Sequence, residues 1–543
     1  MMTSELSRTS QIAMPLFIIL FVVVLALRRE DIRVYAQSAS ECADRFIEHT
    51  LPHLTRTRGS AVRFYESNGS GLAISDLDDD GLLDIVMGNL NGDNQILWNR
   101  GALRFTAETM PRPSGRTRAV QAVDVDADGL LDIVLTTQTS VPQFWRNEGE
   151  RRFTLSTLEG VTYPAYTIQW MDADADGDLD LFTGSYNAEL MQLLRDSFLF
   201  SDGAGVIAYE NRGGVFIPTR LSEDSQALAL WVGDLNTDGD MDFVVGNDFS
   251  LPDQSWTLRN GVWMPIDLLP VTTYSTMSFD MGDIDNDGTQ EFFAADMRPM
   301  SDDAETLEQW RYVIEDLARD PRVPGDRQVS ENVLLQQAGG AFINAADGFG
   351  VGATGWSWSA KFGDLNQDGF LDLYVVNGMT AVELFGHLPN DALIEPNYAF
   401  RGDGERFIAA PEWGLGSLAD GRGMSMGDLD NDGDLDIVVN NLNAPAQLFE
   451  NDLCGGDSLQ VELRWMNSPN PFGVGTQLAL HTSSGIYTRD MRAGSGYLSG
   501  DPMRVHFGYP AGSQVYSLDV YWTDGAHSTI DALESSPVIR INR

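Results

Sequence analysis

The chain has 543 residues, 80 acidic side chains against 35 basic ones, and a formal net charge of −45. That balance excludes nucleic acid as a partner, since phosphate binding needs a basic face, and favours association with cations or basic surfaces. The length would suit three or four domains unless repeats are present.

The long apolar run, Ile12 to Leu27, is short for a membrane span and matches the core of a signal peptide. Val34-Tyr35-Ala36 offers small residues for cleavage after Ala36. Residues 1–36 are therefore expected to direct export, cleaved off or kept as an N-terminal anchor. Either outcome gives a secreted, periplasmic or cell-surface protein. In an oxidising compartment the two cysteines, Cys42 and Cys454, are expected to form a disulfide. Residues 37–61 read as a polar helical lead-in whose apolar stripe runs from Arg45 to Leu51. Ala61-Val62-Arg63-Phe64-Tyr65 reads as a strand that precedes the first repeat and has no sheet of its own.

A nine-residue acidic loop then recurs seven times, at starts 48 to 81 residues apart. Oxygen-bearing side chains stand at positions 1, 3, 5 and 9, and a glycine follows position 5. The expected ligand sets, with position 7 included, follow in chain order. The first loop offers Asp76, Asp78, Asp80, Leu82 and Asp84; the second Asp124, Asp126, Asp128, Leu130 and Asp132. The third offers Asp172, Asp174, Asp176, Asp178 and Asp180; the fourth Asp234, Asn236, Asp238, Asp240 and Asp242. The fifth offers Asp283, Asp285, Asp287, Thr289 and Glu291; the sixth Asp364, Asn366, Asp368, Phe370 and Asp372. The seventh offers Asp428, Asp430, Asp432, Asp434 and Asp436. Clustered oxygens at this spacing suit a hard cation such as Ca²⁺, and without one the carboxylates would raise each other's pKa. The flanks are short β-branched runs such as Leu72-Ala73-Ile74 and Ile85-Val86-Met87, which read as strands, unlike the helices around an EF-hand.

Between loops lies a second signature, a glycine-turn hairpin followed by phenylalanine: Asn99 to Phe105, Asn147 to Phe153 and Asn211 to Phe216. Strand, loop, strand and hairpin make four strands per unit, the pattern of a β-propeller. Seven loops imply seven blades, with residues 61–65 expected to complete the last blade and Cys42–Cys454 to staple the closure. Longer intervals are insertions. Ala188 to Leu194 and Asp302 to Leu317 look helical, and a third insertion spans Thr380 to Pro396. Arg401-Gly402-Asp403 falls where other units turn their hairpin, so turn geometry explains it. Trp310, Tyr312, Trp356 and Trp358 would allow sugar stacking, although core packing is the commoner use. After Asp457 the loops stop, and alternating strands read as a small β-sandwich. The expected domains are residues 62–455 for the propeller and 456–543 for the sandwich.

The seven loops resemble the FG-GAP (or VCBS) repeats of integrin-α-like propellers. Asn470 to Thr476, Gly494 to Ser499, His506-Phe507-Gly508 and Tyr521 to Gly525 resemble the ASPIC/UnbV domain. Together the chain is similar to the cartilage acidic protein family and its bacterial relatives, without an EGF-like segment. The resemblance implies an all-β, seven-bladed propeller with up to seven Ca²⁺ sites, with Asn236, Asn366 and Glu291 as departures. It also implies an extracellular binding or adhesion-type protein for a protein or glycan. No Walker loop, G-x-S-x-G or H-E-x-x-H is present. A polysaccharide-acting enzyme with its site on the insertions is the alternative.

Overall fold

The computed structural model describes residues 42–543, apart from residue 60, 112, 114, 138, 190–204, 320–324, 532 and 534–536. The expected signal segment, and most of the helix read at Ala188 to Leu194, lie outside the described residues.

The protein is all-β. Each acidic loop joins two adjacent antiparallel strands. In the first repeat these are Leu72–Ser75 and Asp84–Met87; in the seventh, Gly421–Gly427 and Asp436–Asn441. The second strands are buried on both faces, so their sequences are continuous apolar runs with no alternation to read. Two outer strands complete each sheet. The glycine hairpins form as expected, with Asn99 paired to Phe105, Asn147 to Phe153 and Asn211 to Phe216. The first strands pack against one another in chain order, and Gly421–Gly427 returns to pack against Leu72–Ser75. The sheets thus close a ring.

The closure uses a different segment from the one expected. Ile47–Leu54 pairs antiparallel with Pro445–Glu450 and supplies the seventh sheet's outer strand. Ala61 to Tyr65 forms no strand. The apolar stripe from Phe46 to Leu51 fits a helix as a pattern, but Pro52 forbids a helix interior while being harmless on an outermost strand. Exposure instead alternates with a period of two along Ile47–Leu54. The expected bond between Cys42 and Cys454 is present, tying this strand's approach to the end of the ring.

The insertion helix forms at Ala304–Arg319, with Asp303 Oδ1 accepting from the amides of Glu305 and Thr306 at 3.0 Å each. The third insertion is a short helix, Val382–Phe385, between paired strands Met379–Thr380 and Ala392–Leu393. Arg401 and Gly402 end the strand Tyr398–Gly402, and Asp403 accepts from Glu405 and Arg406 within the hairpin turn.

After the ring come two sheets, one of Asp457–Arg464, Val505–Tyr509 and Val538–Asn542, the other of Gln477–Thr482, Ile486–Asp490, Val515–Tyr521 and His527–Asp531. They lie directly on the acidic loops. Arg504 donates to Gly81 O at 3.2 Å, His506 Nε2 lies 3.0 Å from Gly433 O, and Gln460 donates to Asp428 Oδ2 at 2.5 Å. A Cβ on Gly508 would lie 2.3 Å from Asp364 Oδ2, so this contact demands glycine. From here the segment Gly494 to Gly500 enters the ring's axis. Gly496 donates to Phe279 O and Tyr497 to Ser359 Oγ, while Leu498 O and Gly500 O accept from Val120 and Ser425. Tyr497 is fully buried there. Gly496 has φ +66°, and a Cβ on it would meet Ser359 Oγ at 2.5 Å.

Replacing Cys42 and Cys454 by serine is expected to lower the melting temperature and to cost at most on the order of 5 kcal/mol of stability in the chain-entropy view. Hydrogen exchange should accelerate first at Ile47–Leu54. Unchanged exchange there would show that the bond does not hold the closure.

Candidate metal centres

The loop backbone is folded by its own carboxylates. The position 1 carboxylate accepts from the amides at positions 5 and 6. Asp80 and Gly81 donate to Asp76 at 3.1 and 2.9 Å, and Asp432 and Gly433 to Asp428 at 3.2 and 3.0 Å. The glycine takes a positive φ, +90° at Gly81 and +109° at Gly433, which explains its presence after position 5. The position 9 carboxylate braces the loop against the sheet. Asp84 accepts from the Leu77 amide at 3.3 Å and the Asn99 amide at 2.8 Å; Asp132 does the same with Val125 and Asn147. Glu291, the longer side chain, still accepts from Ile284 at 3.2 Å.

In five loops three acidic side chains each bring an oxygen within 4.8 Å of the others. These are Asp76, Asp78 and Asp84; Asp124, Asp126 and Asp132; Asp172, Asp174 and Asp176; Asp283, Asp285 and Glu291; and Asp428, Asp430 and Asp436. In the two loops with asparagine at position 3, the amide donates to the position 5 carboxylate, Asn236 to Asp238 at 3.1 Å and Asn366 to Asp368 at 2.9 Å. Position 5 otherwise serves the loop itself, as where Asp80 and Asp128 accept from the position 7 amides at 3.0 Å each.

Burial, opposed by amide hydrogen bonds and reinforced by neighbouring carboxylates, pushes these acids up. Asp84, Asp132, Asp180 and Glu291 rise to about 8, Asp124 and Asp364 to about 7, and Asp76, Asp172, Asp283 and Asp428 to about 6. Several buried carboxylate oxygens have no hydrogen-bond partner, namely Asp78 Oδ1, Asp172 Oδ1, Asp178 Oδ1, Asp283 Oδ1, Glu291 Oε1 and Asp434 Oδ1. Buried orphan acceptors are costly, and convergent ones fit a cation. The donor set is all oxygen, which suits hard metals.

Arginines partly fill this role in some loops. Arg151 pairs with Asp78, Arg146 with Asp126 at 2.5 Å, and Arg259 with Asp240 at 2.7 Å. No ion pair among the described residues reaches the loop from Asp172 to Asp180.

The hairpin asparagines do more than turn the chain. Asn99 Nδ2 donates to Leu83 O in its own loop and to Leu429 O in the adjacent repeat's loop, at 3.0 and 2.6 Å. Asn147 bridges Leu131 and Leu77, and Asn451 bridges Leu435 and Leu365. Each ties one acidic loop to the next. The asparagine is visible in the sequence, but its bridging is a contact between repeats that no local pattern shows.

Family models recognise an FG-GAP-like repeat at residues 76–135 and 124–183, and an ASPIC and UnbV domain at residues 466–543. The chain therefore combines FG-GAP-like repeats with a C-terminal ASPIC/UnbV domain. No curated protein matches it. Among solved structures it is similar to BBS1N in its complex with ARL6DN, at 10% identity over 71% of this chain and 94% of that one, TM-score 0.39. An AofleA mutant from Arthrobotrys oligospora aligns at 10% identity over 70% and 90%, TM-score 0.35. The V. cholerae biofilm matrix protein Bap1 aligns at 12% identity over 91% of this chain and 63% of its own, TM-score 0.29.

Two measurements test this site. Asn99→Ala leaves two buried carbonyls without donors and is expected to cost on the order of 1–3 kcal/mol in urea unfolding. In EDTA the raised carboxylates stabilise the fold when protonated. That contribution is complete below about pH 4 and is lost as pH rises through about 6 to 8. Metal-free protein should therefore melt at progressively lower temperature from about pH 5 to pH 9. A flat or rising profile would contradict these raised carboxylates.

Proposed function

We propose that the chain is an exported seven-bladed β-propeller with a C-terminal β-sandwich, whose acidic loops bind Ca²⁺. It acts as a non-catalytic binding or adhesion-type protein for an extracellular protein or glycan. The convergence of carboxylates with unpartnered, buried oxygens in the loops carries this reading. The disulfide supports a compartment outside the reducing cytoplasm, and extracellular Ca²⁺ is abundant enough for weak sites. No helix among the described residues is long and apolar enough to cross a membrane.

Bound Ca²⁺ would be held through positions 1, 3 and 9 in the loops starting at Asp76, Asp124, Asp283 and Asp428 and through positions 1, 3 and 5 in the loop starting at Asp172, with the position 7 main chain as a further oxygen. Its chemistry here is neutralisation of packed negative charge. The Asp172 to Asp180 loop, free of arginine competition, should fill first, and the loops holding Asn236 and Asn366 last. Calorimetric melting in millimolar Ca²⁺ against EDTA tests the role. Each occupied site adds about 2.7 kcal/mol at a hundredfold excess over its dissociation constant. Asp174→Ala should remove one bound ion by equilibrium dialysis. Identical melting with and without Ca²⁺ would end the proposal.

A further inference from the structure

The acidic loops follow the first strand of each sheet, so the opposite edge carries the starts of the first strands and the ends of the second. On that edge lies a cavity of about 460 Å³. Tyr274 lies just ahead of one first strand, Ser278–Gly282, and Trp356 and Trp358 begin another, Gly355–Gly363. Asp248 and Asp296 follow second strands, and Phe249 succeeds Asp248. The two insertions cover it, through Val313 and Leu317 of Ala304–Arg319 and Leu384 of Val382–Phe385. Its floor meets the axial segment, since Trp358 packs on Tyr497 with ring centroids 5.1 Å apart.

The walls are aromatic and aliphatic, yet the cavity holds two buried carboxylates. Asp296 is 2% exposed and Asp248 5%. Asp296 accepts from the amides of Tyr274 at 2.8 Å, Ser275 at 3.2 Å and Met297 at 2.6 Å. Asp248 accepts from Tyr186 Oη at 2.5 Å and the Phe249 amide at 2.9 Å. These bonds fix both carboxylates in place but bring no positive charge. Among the described residues no lysine, arginine or histidine pairs with either. The arginine that lines the rim, Arg319, is held by Glu315 and Asp316 at 2.9 and 3.1 Å. Arg422 lies over Trp358, 4.3 Å from the ring centroid, but pairs with Asp420. Burial, with the fields of Asp248 and a third buried acid, Asp253, added to it, pushes the Asp296 carboxyl well up, a shift that a cation bound beside it would reverse.

A second observation points to an occupant. The Trp356 indole N–H is buried and has no hydrogen-bond partner, although the residue is 5% exposed and lines the cavity. An unmade bond at such a donor is costly, and indole N–H groups usually find an acceptor when buried. Two uncompensated carboxylates, aromatic faces suited to cation–π contact and one waiting donor define a small set of ligands. We propose that this cavity binds a compact organic cation, an ammonium group on an apolar body with a hydrogen-bond acceptor nearby. The carboxylates hold the charge, the aromatic walls hold the body, and Trp356 donates to the acceptor. An N-terminal residue of a peptide has this chemistry, and so does a free amine of similar shape. The site is separate from the metal loops and does not depend on their loading.

Phenylalanine amide, which has the ammonium, the ring and the carbonyl, is the probe, and N-acetylphenylalanine amide its uncharged counterpart. Titration calorimetry on the full chain in Ca²⁺ should show saturable binding of the first, at least tenfold tighter than the second. Asp248→Asn, which leaves Asp296, should reduce that difference severalfold, while Leu384→Trp, which fills the cavity and leaves both carboxylates, should abolish binding of both. Circular dichroism melts of each variant confirm that it is folded. Equal affinity for the two amides overturns the proposal. So does absence of binding in the millimolar range, a charge preference undiminished in folded Asp248→Asn, or tighter binding of a neutral oligosaccharide than of the cation.

Discussion

The structure depends on one arrangement, a carboxylate at the ninth position of the loop that in five of the seven loops accepts two main-chain amides at once. One amide belongs to the loop's own second residue and the other to the third strand of the same sheet, as with Leu77 and Asn99 at Asp84. This fixes the loop's curvature and its attachment to the sheet together. The same geometry packs acids where water cannot reach them, so folding concentrates negative charge that must be neutralised by protons, arginines or metal. Electrostatic tension is thus inherent in how the turn is built. Adjacent loops share it, because the asparagines at the hairpin turns bond across to the neighbouring repeat.

Much of this was legible in the sequence because the repeats are local. Asp-x-Asp spacing, a following glycine and β-branched flanks together specify strand–turn–strand, and each expected loop joins two strands of one sheet. The insertion helix was legible from the acids at its start and from apolar spacing through Trp310. What escaped was non-local. Ile47–Leu54 carries an apolar stripe that suits a helix; Pro52 argues against one, but the strand's place in the ring is set by its distant partner, Pro445–Glu450. Gly494 to Gly500 was visible as a motif, but glycine spacing does not reveal that the segment enters the ring's axis. Asp248 and Asp296 sit in unrelated loops, and nothing in sequence announces that they face one cavity.

The C-terminal sheets form one body with the ring. Arg504 sits between Glu462 and the first loop's Gly81 carbonyl, and Arg540 reaches Asp79 at 2.7 Å. Lys361 pairs with Asp501 and Arg492 with Asp280. The acidic face thus receives much of its positive charge from the last residues of the chain.

The ring's final gap is closed by a strand that precedes every other described strand in the chain, and Cys42 must await Cys454, 412 residues later. The hairpin that fills the axis emerges later still. Until then the growing chain carries open sheet edges, which invite pairing with neighbours. Its heavy negative charge makes such encounters mutually repulsive. Acidity that would otherwise burden the finished fold thereby protects the unfinished one.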